Sequence, residues 1–162
     1  MALDFNTQVL LSIAGTTALT IDSSGIVLEP NQPSCHILSG PATASGSDII
    51  AAGTTVFNVG SCYNNSNGRF TAPVAGIYFI RFQQLATNGT AGEYRTAIYK
   101  NGGGYGGSRF ITVKPASTWW SLIAEAHVSL AVNDYVTVRY ESGPAALYTD
   151  SNYGSLTAHL VG

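Results

Sequence analysis

Short runs in which apolar and polar residues alternate recur along the chain, separated by clusters rich in glycine, asparagine and serine. No segment repeats its apolar residues at helical spacing over a useful length. The clearest run follows the turn-forming residues 64–68 and is aromatic and β-branched over residues 77–82, as is typical of a strand. Because side chains alternate across a strand, Tyr78, Ile80 and Phe82 share one apolar face. This face is predicted to point into a core.

The opposite face of the same strand carries Ile77 and Phe79 before it becomes polar at Arg81 and Gln83. An outer strand of a monomeric sandwich alternates more regularly between core and solvent. We therefore expect Ile77 and Phe79 to be covered by another segment. A second subunit is one candidate for this cover, and a loop of the same chain is the other.

Further alternating runs predict strands bounded by turn residues. They lie at residues 35–38, 54–59, 94–99, 109–113, 118–130, 135–140 and 155–161. Residues 118–130 are long enough for one extended strand or a bent pair of strands. Residues 39–47 are predicted to form a loop of small side chains. About ten short strands without helices predict an all-β fold, a jelly-roll sandwich.

The first 33 residues differ in character from the rest of the chain. Their two short extended runs lie at residues 9–13 and 18–22. Residues 29–33 contain two prolines, which prevent a continuous strand or helix. Two strands cannot bury their apolar residues alone, so this arm must pack on the head, on partner subunits or on a larger particle. We therefore predict an arm and linker at residues 1–33, with residues 1–29 as the candidate anchor, and a head at residues 34–162.

Composition and charge exclude several classes of function. Charged residues make up 10% of the chain and the formal net charge is −2, so no basic patch is available to neutralise phosphates and nucleic-acid binding is not expected. No apolar run is long enough for a membrane-spanning helix. The first residues show no secretory signal, so we expect synthesis in a cytosol. Cytosolic synthesis favours reduced thiols at Cys35 and Cys62, and a disulfide requires a fold that brings their Cα atoms together.

The stretch around the central strand resembles the signature of the C1q-like domain, whose fold is shared with the tumour necrosis factor family. The matching positions are Asn58, Tyr63, Phe70, Gly76, Tyr78 and Phe82. Ala52 and Ile80 stand where the signature has phenylalanine, and both keep the position apolar. The resemblance covers residues 34–162 and implies a jelly roll that assembles as a homotrimer. The apolar pattern of Ile77 and Phe79 is sequence-level support for such a subunit interface. The resemblance identifies a fold and does not identify a ligand.

Residues 17–27 are similar to short β segments that recur in tail-fibre and surface proteins of bacteriophage virions. With the missing secretory signal, this resemblance implies a protein made in the host cytoplasm and displayed on the virion surface. One candidate function is a capsid decoration or cement protein, whose residues 1–29 bind the major capsid protein or another virion protein. The alternative is the receptor-binding tip of a tail or head fibre, which recognises host surface glycans through loops such as 101–107 and 143–153.

Aromatic residues in the predicted loops are the candidate contact residues, because tyrosine provides contact area at low entropic cost. They are Tyr105, Tyr148 and Tyr153. The glycine-rich residues 101–107 lack the ending of a phosphate-binding loop and are interpreted as a hairpin tip. Trp119 and Trp120 are expected on opposite faces of a strand, one in the core and the other at a subunit contact or a ligand.

The ionisable residues show no recognisable catalytic pattern. His36, His127 and His159 lack the spacing of metal ligands, although histidines near a three-fold axis could meet their own copies. Asp134 and Asp150 lie in predicted loops where carboxylates could bind calcium. No nucleophile motif is present, so we predict neither enzymatic activity nor a cofactor.

Overall fold

The computed structural model describes residues 9–38, 47–49, 53–86, 91–116, 118–143 and 147–161. These residues form strands joined by turns, and the one helical segment among them is the 3₁₀ turn Ser151–Tyr153. By its internal contacts the chain divides into two compact units, Met1–Gln32 and Pro33–Gly162. Residues 39–46 of the predicted small-residue loop and the signature position Ala52 lie outside the described residues.

The N-terminal unit is a three-stranded antiparallel sheet. Its strands are β1 (Val9–Ile13), β2 (Thr16–Ile21) and β3 (Val27–Leu28), in that order across the sheet. The β1–β2 turn holds Ala14 and Gly15 at positive φ, 50° and 80°. In the next turn the Asp22 carboxylate accepts hydrogen bonds from the backbone N–H groups of Ser24 and Ile26, at 2.8 and 2.9 Å. The sequence predicted two strands here, and the third is too short for its two residues to show alternation.

The head is made of two antiparallel sheets. Its strands are β4 (Ser34–Leu38), β5 (Ser47–Ile49), β6 (Thr55–Val59), β7 (Tyr63–Asn64), β8 (Arg69–Thr71), β9 (Gly76–Ala86), β10 (Gly92–Lys100), β11 (Gly103–Gly104), β12 (Phe110–Lys114), β13 (Trp120–Leu130), β14 (Tyr135–Ser142) and β15 (Gly154–Leu160). One sheet has the order β11-β10-β14-β8-β7, with β12 also paired to β10 and β5 to β14. The other has the order β13-β9-β15-β4-β6. The all-β prediction is confirmed, and β13 is one continuous strand.

The core lies between the two sheets and is centred on β9. Tyr78, Ile80 and Phe82 all point into it and are completely buried. The Tyr78 ring meets the buried Phe70 ring edge-on, with centroids 5.2 Å apart. Its hydroxyl donates a hydrogen bond to the carbonyl of Val74 at 2.8 Å, so the one polar atom of this aromatic side chain is satisfied. Burial raises the pKa of the Tyr78 phenol above its usual value.

Asn58 shows why a side chain with a carbonyl oxygen occupies the first matching position of the signature. Its Nδ2 donates to the carbonyl of Tyr63 at 2.8 Å, and its Oδ1 accepts from the Tyr63 N–H at 3.0 Å. These two bonds imitate a strand pairing across the turn that contains Gly60 and Ser61, both at positive φ. The turn is thereby closed and the ring of Tyr63 is held in the core.

Candidate functional site

The five-stranded sheet has an outer face, the side turned away from the core, and this face carries apolar residues. On β9 it presents Ile77, Phe79, Arg81, Gln83 and Leu85, which alternate with the buried residues. Ile77 is 47% exposed, and Phe79 and Leu85 are half-buried. The two residues predicted to lie under a cover are therefore on the surface of the protomer, and the described residues leave Ile77 largely open.

An aromatic row crosses this outer face. His127 on β13, Phe79 on β9 and His159 on β15 occupy paired positions of neighbouring strands. The Phe79 ring centroid lies 5.0 Å from that of His127 and 5.6 Å from that of His159. His36 lies on the same face and contacts Phe57, with centroids 5.9 Å apart. The fold thus collects all three histidines of the chain on one surface.

Charge on the outer face is confined, within the described strands, to Arg81 and Glu125. The Arg81 Nε lies 3.4 Å from the Glu125 Oε2, and both side chains are more than two-fifths exposed. A pair this exposed contributes little to stability because water screens it. The remainder of the face is apolar, aromatic or small and polar, which makes it suited to contact with another protein surface.

A second apolar surface lies at the open edge of the sandwich, formed by β12 and the start of β13. Ile111 and Val113 are 56% and 66% exposed, and Phe110 and Trp120 are each 39% exposed. The Trp120 indole N–H donates to the Thr112 hydroxyl at 2.6 Å, which fixes the indole at this edge. A cluster of large apolar side chains exposed on a surface commonly marks a site where another protein or a ligand binds.

A third surface is an aromatic pocket of about 380 Å³, lined by Leu85, Trp119, Tyr148 and Tyr153. Trp119 and Tyr148 meet edge-on with ring centroids 5.0 Å apart, and Tyr148 and Tyr153 do so at 5.7 Å. Trp119 is 50% exposed and Tyr153 is 54% exposed. Pockets of this volume are within the range that holds small ligands.

Backbone hydrogen bonds position the pocket residues. The Tyr148 N–H donates to the carbonyl of Leu85 at 2.8 Å, and the buried Gln84 amide donates to the carbonyl of Tyr148. The Tyr153 N–H donates to the carbonyl of Asp150 at 3.2 Å. Tyr148 is therefore tied to the end of β9, and Tyr153 is tied to the capped 3₁₀ turn.

Comparison with known proteins identifies the family. A sequence model of the C1q domain matches residues 37–161. The chain belongs to the C1q domain family. Its structure resembles the globular domain of zebrafish complement 1qA protein (14% identity, TM-score 0.64, 81% of this chain and 98% of that one). It also resembles murine APRIL (17%, 0.62, 80% and 99%) and Eiger TNF from S. frugiperda (9%, 0.65, 82% and 94%). At these identities the likeness establishes the fold alone, and it confirms the predicted jelly roll.

Domains of the C1q and tumour necrosis factor type are typically trimeric and generally serve as binding or structural modules without enzymatic activity. In the part of this C1q domain that the structure describes, no group of three histidine, cysteine or acidic side chains could hold a metal ion. Among the same residues, no helix is long and apolar enough to cross a membrane.

The predicted contact tyrosines of this C1q domain separate into two groups. Tyr148 and Tyr153 line the aromatic pocket. Tyr105 is half-buried and packs against the core, so it does not join them. The glycine-rich segment around it forms a tight turn, with Asn101 and Gly102 at positive φ, and pairs back through β11.

The prediction that one of the two adjacent tryptophans lies in the core is wrong. Trp120 pairs with Ala86 and does face the core side of the sheet. It is nevertheless 39% exposed, because it is the first residue of β13 and lies where the sandwich is open. Trp119 precedes the strand and packs on Tyr148. The sequence showed that Trp119 belongs to an aromatic pair, but it did not show that this residue lines a pocket.

The two candidate calcium ligands serve the local structure. Asp134 forms an ion pair with Lys100 at 2.8 Å and accepts a hydrogen bond from the Asn101 amide at 2.7 Å. These donors lower the pKa of Asp134 to about 2. Asp150 caps the 3₁₀ turn by accepting from the Asn152 N–H at 2.9 Å. Both carboxylates are therefore engaged by protein donors.

Cys35 and Cys62 are both buried and both free. The hydrogen bond between their side chains, together with burial, raises the pKa of the Cys35 thiol far above its usual value. A thiol that stays protonated is a poor nucleophile. Cys35 therefore acts as apolar core filling, whereas the same hydrogen bond lowers the pKa of the Cys62 thiol.

Proposed function

We propose that this chain is a non-enzymatic structural protein of a bacteriophage virion, a homotrimeric capsid decoration or cement protein attached through its N-terminal arm. The C1q fold supports the trimer, and the resemblance of residues 17–27 to β segments of virion proteins supports the setting. The observation that carries the attachment is the exposed apolar surface of the small N-terminal sheet.

The trimer is supported by two different apolar surfaces on one head. A closed ring of three identical subunits is built from a heterologous interface, in which one patch of each subunit binds a different patch of the next. The outer face and the open edge supply such a pair, since both are apolar and the described strands place one ion pair, Arg81 with Glu125, on the outer face. We infer that the open edge of each subunit, with Ile111 and Val113, packs on the outer face of its neighbour around Ile77 and Phe79.

The attachment is supported by the side chains of the N-terminal sheet. Leu10 and Leu11 are successive residues of β1, so they point to opposite faces, and both are more than half exposed. Val27 and Leu28 on β3 are exposed as well. A sheet of three short strands has no second layer of its own to bury these residues. The major capsid protein, or another virion protein, is the partner proposed to cover them through residues 1–29.

Cryo-electron microscopy of purified virions, with quantitative mass spectrometry of the same sample, tests this function. Decoration requires many trimers spread over the shell with the N-terminal sheet against it. Absence of the chain from purified virions would contradict the proposal. Independently, a monomeric mass of the purified protein in light scattering would contradict the trimer.

The aromatic pocket favours a second candidate, the receptor-binding tip of a tail or head fibre that recognises host glycans. An exposed aromatic cluster with a defined pocket is typical of a ligand site, and a cement protein has no need of one. Residues 144–146 of the loop first predicted for this role lie outside the described residues. The same micrographs separate the two functions, because a receptor-binding tip occurs as a few trimers at fibre ends.

A further inference from the structure

We propose that the aromatic pocket binds the ring of a neutral sugar, which stacks on the face of Trp119. The sugar is the ligand that the receptor-binding candidate would recognise. The proposal rests on that candidate only for its biological setting. The pocket is formed by residues of one protomer, Leu85, Trp119, Tyr148 and Tyr153. Its chemistry can therefore be tested without the virion.

The rings of the pocket leave aromatic faces open. Trp119 and Tyr148 meet at an interplanar angle of 70°, and Tyr148 and Tyr153 at 62°. In such edge-on contacts the edge of one ring covers one face of its neighbour, so the opposite face of that neighbour is left uncovered by the contact. Trp119 and Tyr153 keep half of their surface in solvent. The negative face of an aromatic ring attracts groups with positive edges, and the C–H groups on one side of a pyranose ring present such an edge.

The lining of the pocket indicates an uncharged and hydroxyl-bearing ligand. None of the described residues that line the pocket carries a charge. Among the described residues, no hydrogen-bond partner occurs for the indole N–H of Trp119 or for the phenol groups of Tyr148 and Tyr153. Covering these polar groups with an apolar protein surface would leave them unsatisfied, which is costly. Sugar hydroxyls can donate to and accept from them.

Two of the aromatic residues of the pocket, Tyr148 and Tyr153, are preorganised. Tyr148 is held by the carbonyl of Leu85 and by the amide of Gln84. Gln84 is in turn packed against Gly154, where an added Cβ would lie only 1.7 Å from its Oε1. Tyr153 is held by the cap at Asp150. A site in which part of the lining is already held in place loses less entropy when a ligand binds.

The competing occupant is a segment of a second copy of the chain. Leu85 belongs to the outer face, so the pocket borders the surface that we assign to the trimer contact. The free polar groups at its rim favour the sugar. The experiment below separates the two occupants by measuring assembly and binding on the same variants.

The test uses the full chain and an array of printed glycans, followed by titration with methyl glycosides of glucose, galactose, mannose and N-acetylglucosamine. The chain has two tryptophans, so Trp120→Phe leaves Trp119 as the single tryptophan and its fluorescence reports on the pocket directly. Because Trp120 lies in the open edge that we assign to the trimer contact, the assembly of this variant is measured before its glycan binding, and the wild type is titrated beside it. Trp119→Ala is expected to weaken binding by roughly tenfold or more, since it removes the stacking surface, and Tyr153→Phe is expected to weaken it less.

Three results would overturn the proposal. They are the absence of binding to any neutral glycan, binding that Trp119→Ala leaves unchanged, and loss of the trimer in Trp119→Ala, which assigns the pocket to the subunit contact. A circular dichroism spectrum of each variant that matches the wild-type spectrum excludes misfolding as the cause. If the chain binds sugar but is found spread over the capsid shell, the sugar site is supported and the fibre-tip function is contradicted. The two proposals can therefore fail separately.

Discussion

The rings of Phe79 and His127 face each other across β9 and β13 with centroids 5.0 Å apart, on the outside of the sheet whose inside holds the core. Phe79 is the neighbour of Tyr78, which is completely buried. Two successive aromatic residues therefore serve different surfaces, one inside the protomer and one outside it. This relationship connects the strand signature to the assembly, because the same alternation that fills the core leaves an aromatic row facing outward.

Replacing Phe79 by aspartate is expected to produce monomers. The substitution places a carboxylate in the centre of the proposed apolar contact, where it has no partner and loses its hydration. The dissociation constant of the trimer should rise by roughly a hundredfold or more. Analytical ultracentrifugation over a concentration series measures the change.

Val132→Asp is the matched control for this prediction. Val132 is an exposed apolar residue in the turn between β13 and β14 and is a member of neither apolar surface, so the same chemical change should leave the trimer intact. A Phe79→Asp protein that remains trimeric at low micromolar concentration would show that the outer face is not the contact.

Removing the Tyr78 side chain is expected to destabilise the head severely. Tyr78→Ala deletes a fully buried ring that packs edge-on against Phe70, and such deletions cost about 3–5 kcal/mol. Tyr78→Phe keeps the ring and removes only the hydrogen bond to the Val74 carbonyl, which should cost about 1 kcal/mol. Chemical denaturation of the two variants measures the difference, and similar midpoints for both would contradict the assignment of this ring to the core.

The core could be predicted from the sequence because it depends on local alternation. Tyr78, Ile80 and Phe82 lie within five residues of one strand, and their period of two is visible without knowledge of any partner strand. The outward position of Ile77 follows from the same pattern. Local alternation could not identify a partner surface for Ile77, because such a partner lies outside the strand in which the pattern is visible.

The aromatic row and the aromatic pocket could not be predicted, because strand pairing over long sequence separations creates them. Phe79 meets His127 and His159 only because β9 lies between β13 and β15. Trp119 meets Tyr148 through the end of β9 in a similar way. The position of Trp120 depends on where the sandwich opens, which is a property of both sheets together. The sequence had indicated an interaction role for one of the two tryptophans and a core position for the other, and the fold leaves both exposed.

Asp134→Asn is expected to reduce stability at neutral pH and to change the response to acid. The donors around Asp134 lower the pKa of its carboxyl from 3.8 to about 2 in the folded chain. A lowered folded-state pKa contributes stability that is present above the unfolded value and is lost as pH falls through the folded value. The difference between wild type and variant should thus be constant above pH 5 and should shrink between about pH 4 and pH 2. Urea denaturation at a series of pH values measures it.

Glu29→Gln is the control for the acid response. It makes the same change from acid to amide, and Glu29 forms no ion pair with other described residues. Its effect on the denaturation midpoint should be small at every pH. A difference for Asp134→Asn that stays constant down to pH 2 would contradict the role of the Lys100 and Asn101 contacts.

Deleting residues 1–29 is expected to leave a folded, trimeric head that no longer attaches to its particle. The core residues of the head all lie beyond residue 33, and the C1q match begins at residue 37, so the deletion removes no part of either. The exposed leucines of β1 are lost with the arm, and these are the side chains proposed to bind the capsid. Thermal unfolding and light scattering check the head, and cosedimentation with virions that lack the protein checks attachment.

Leu10→Asp with Leu11→Asp in the full chain should abolish attachment in the same assay by placing charges at the anchor. Full attachment of the truncated head would assign particle binding to the C1q domain itself and remove the anchoring role of the arm.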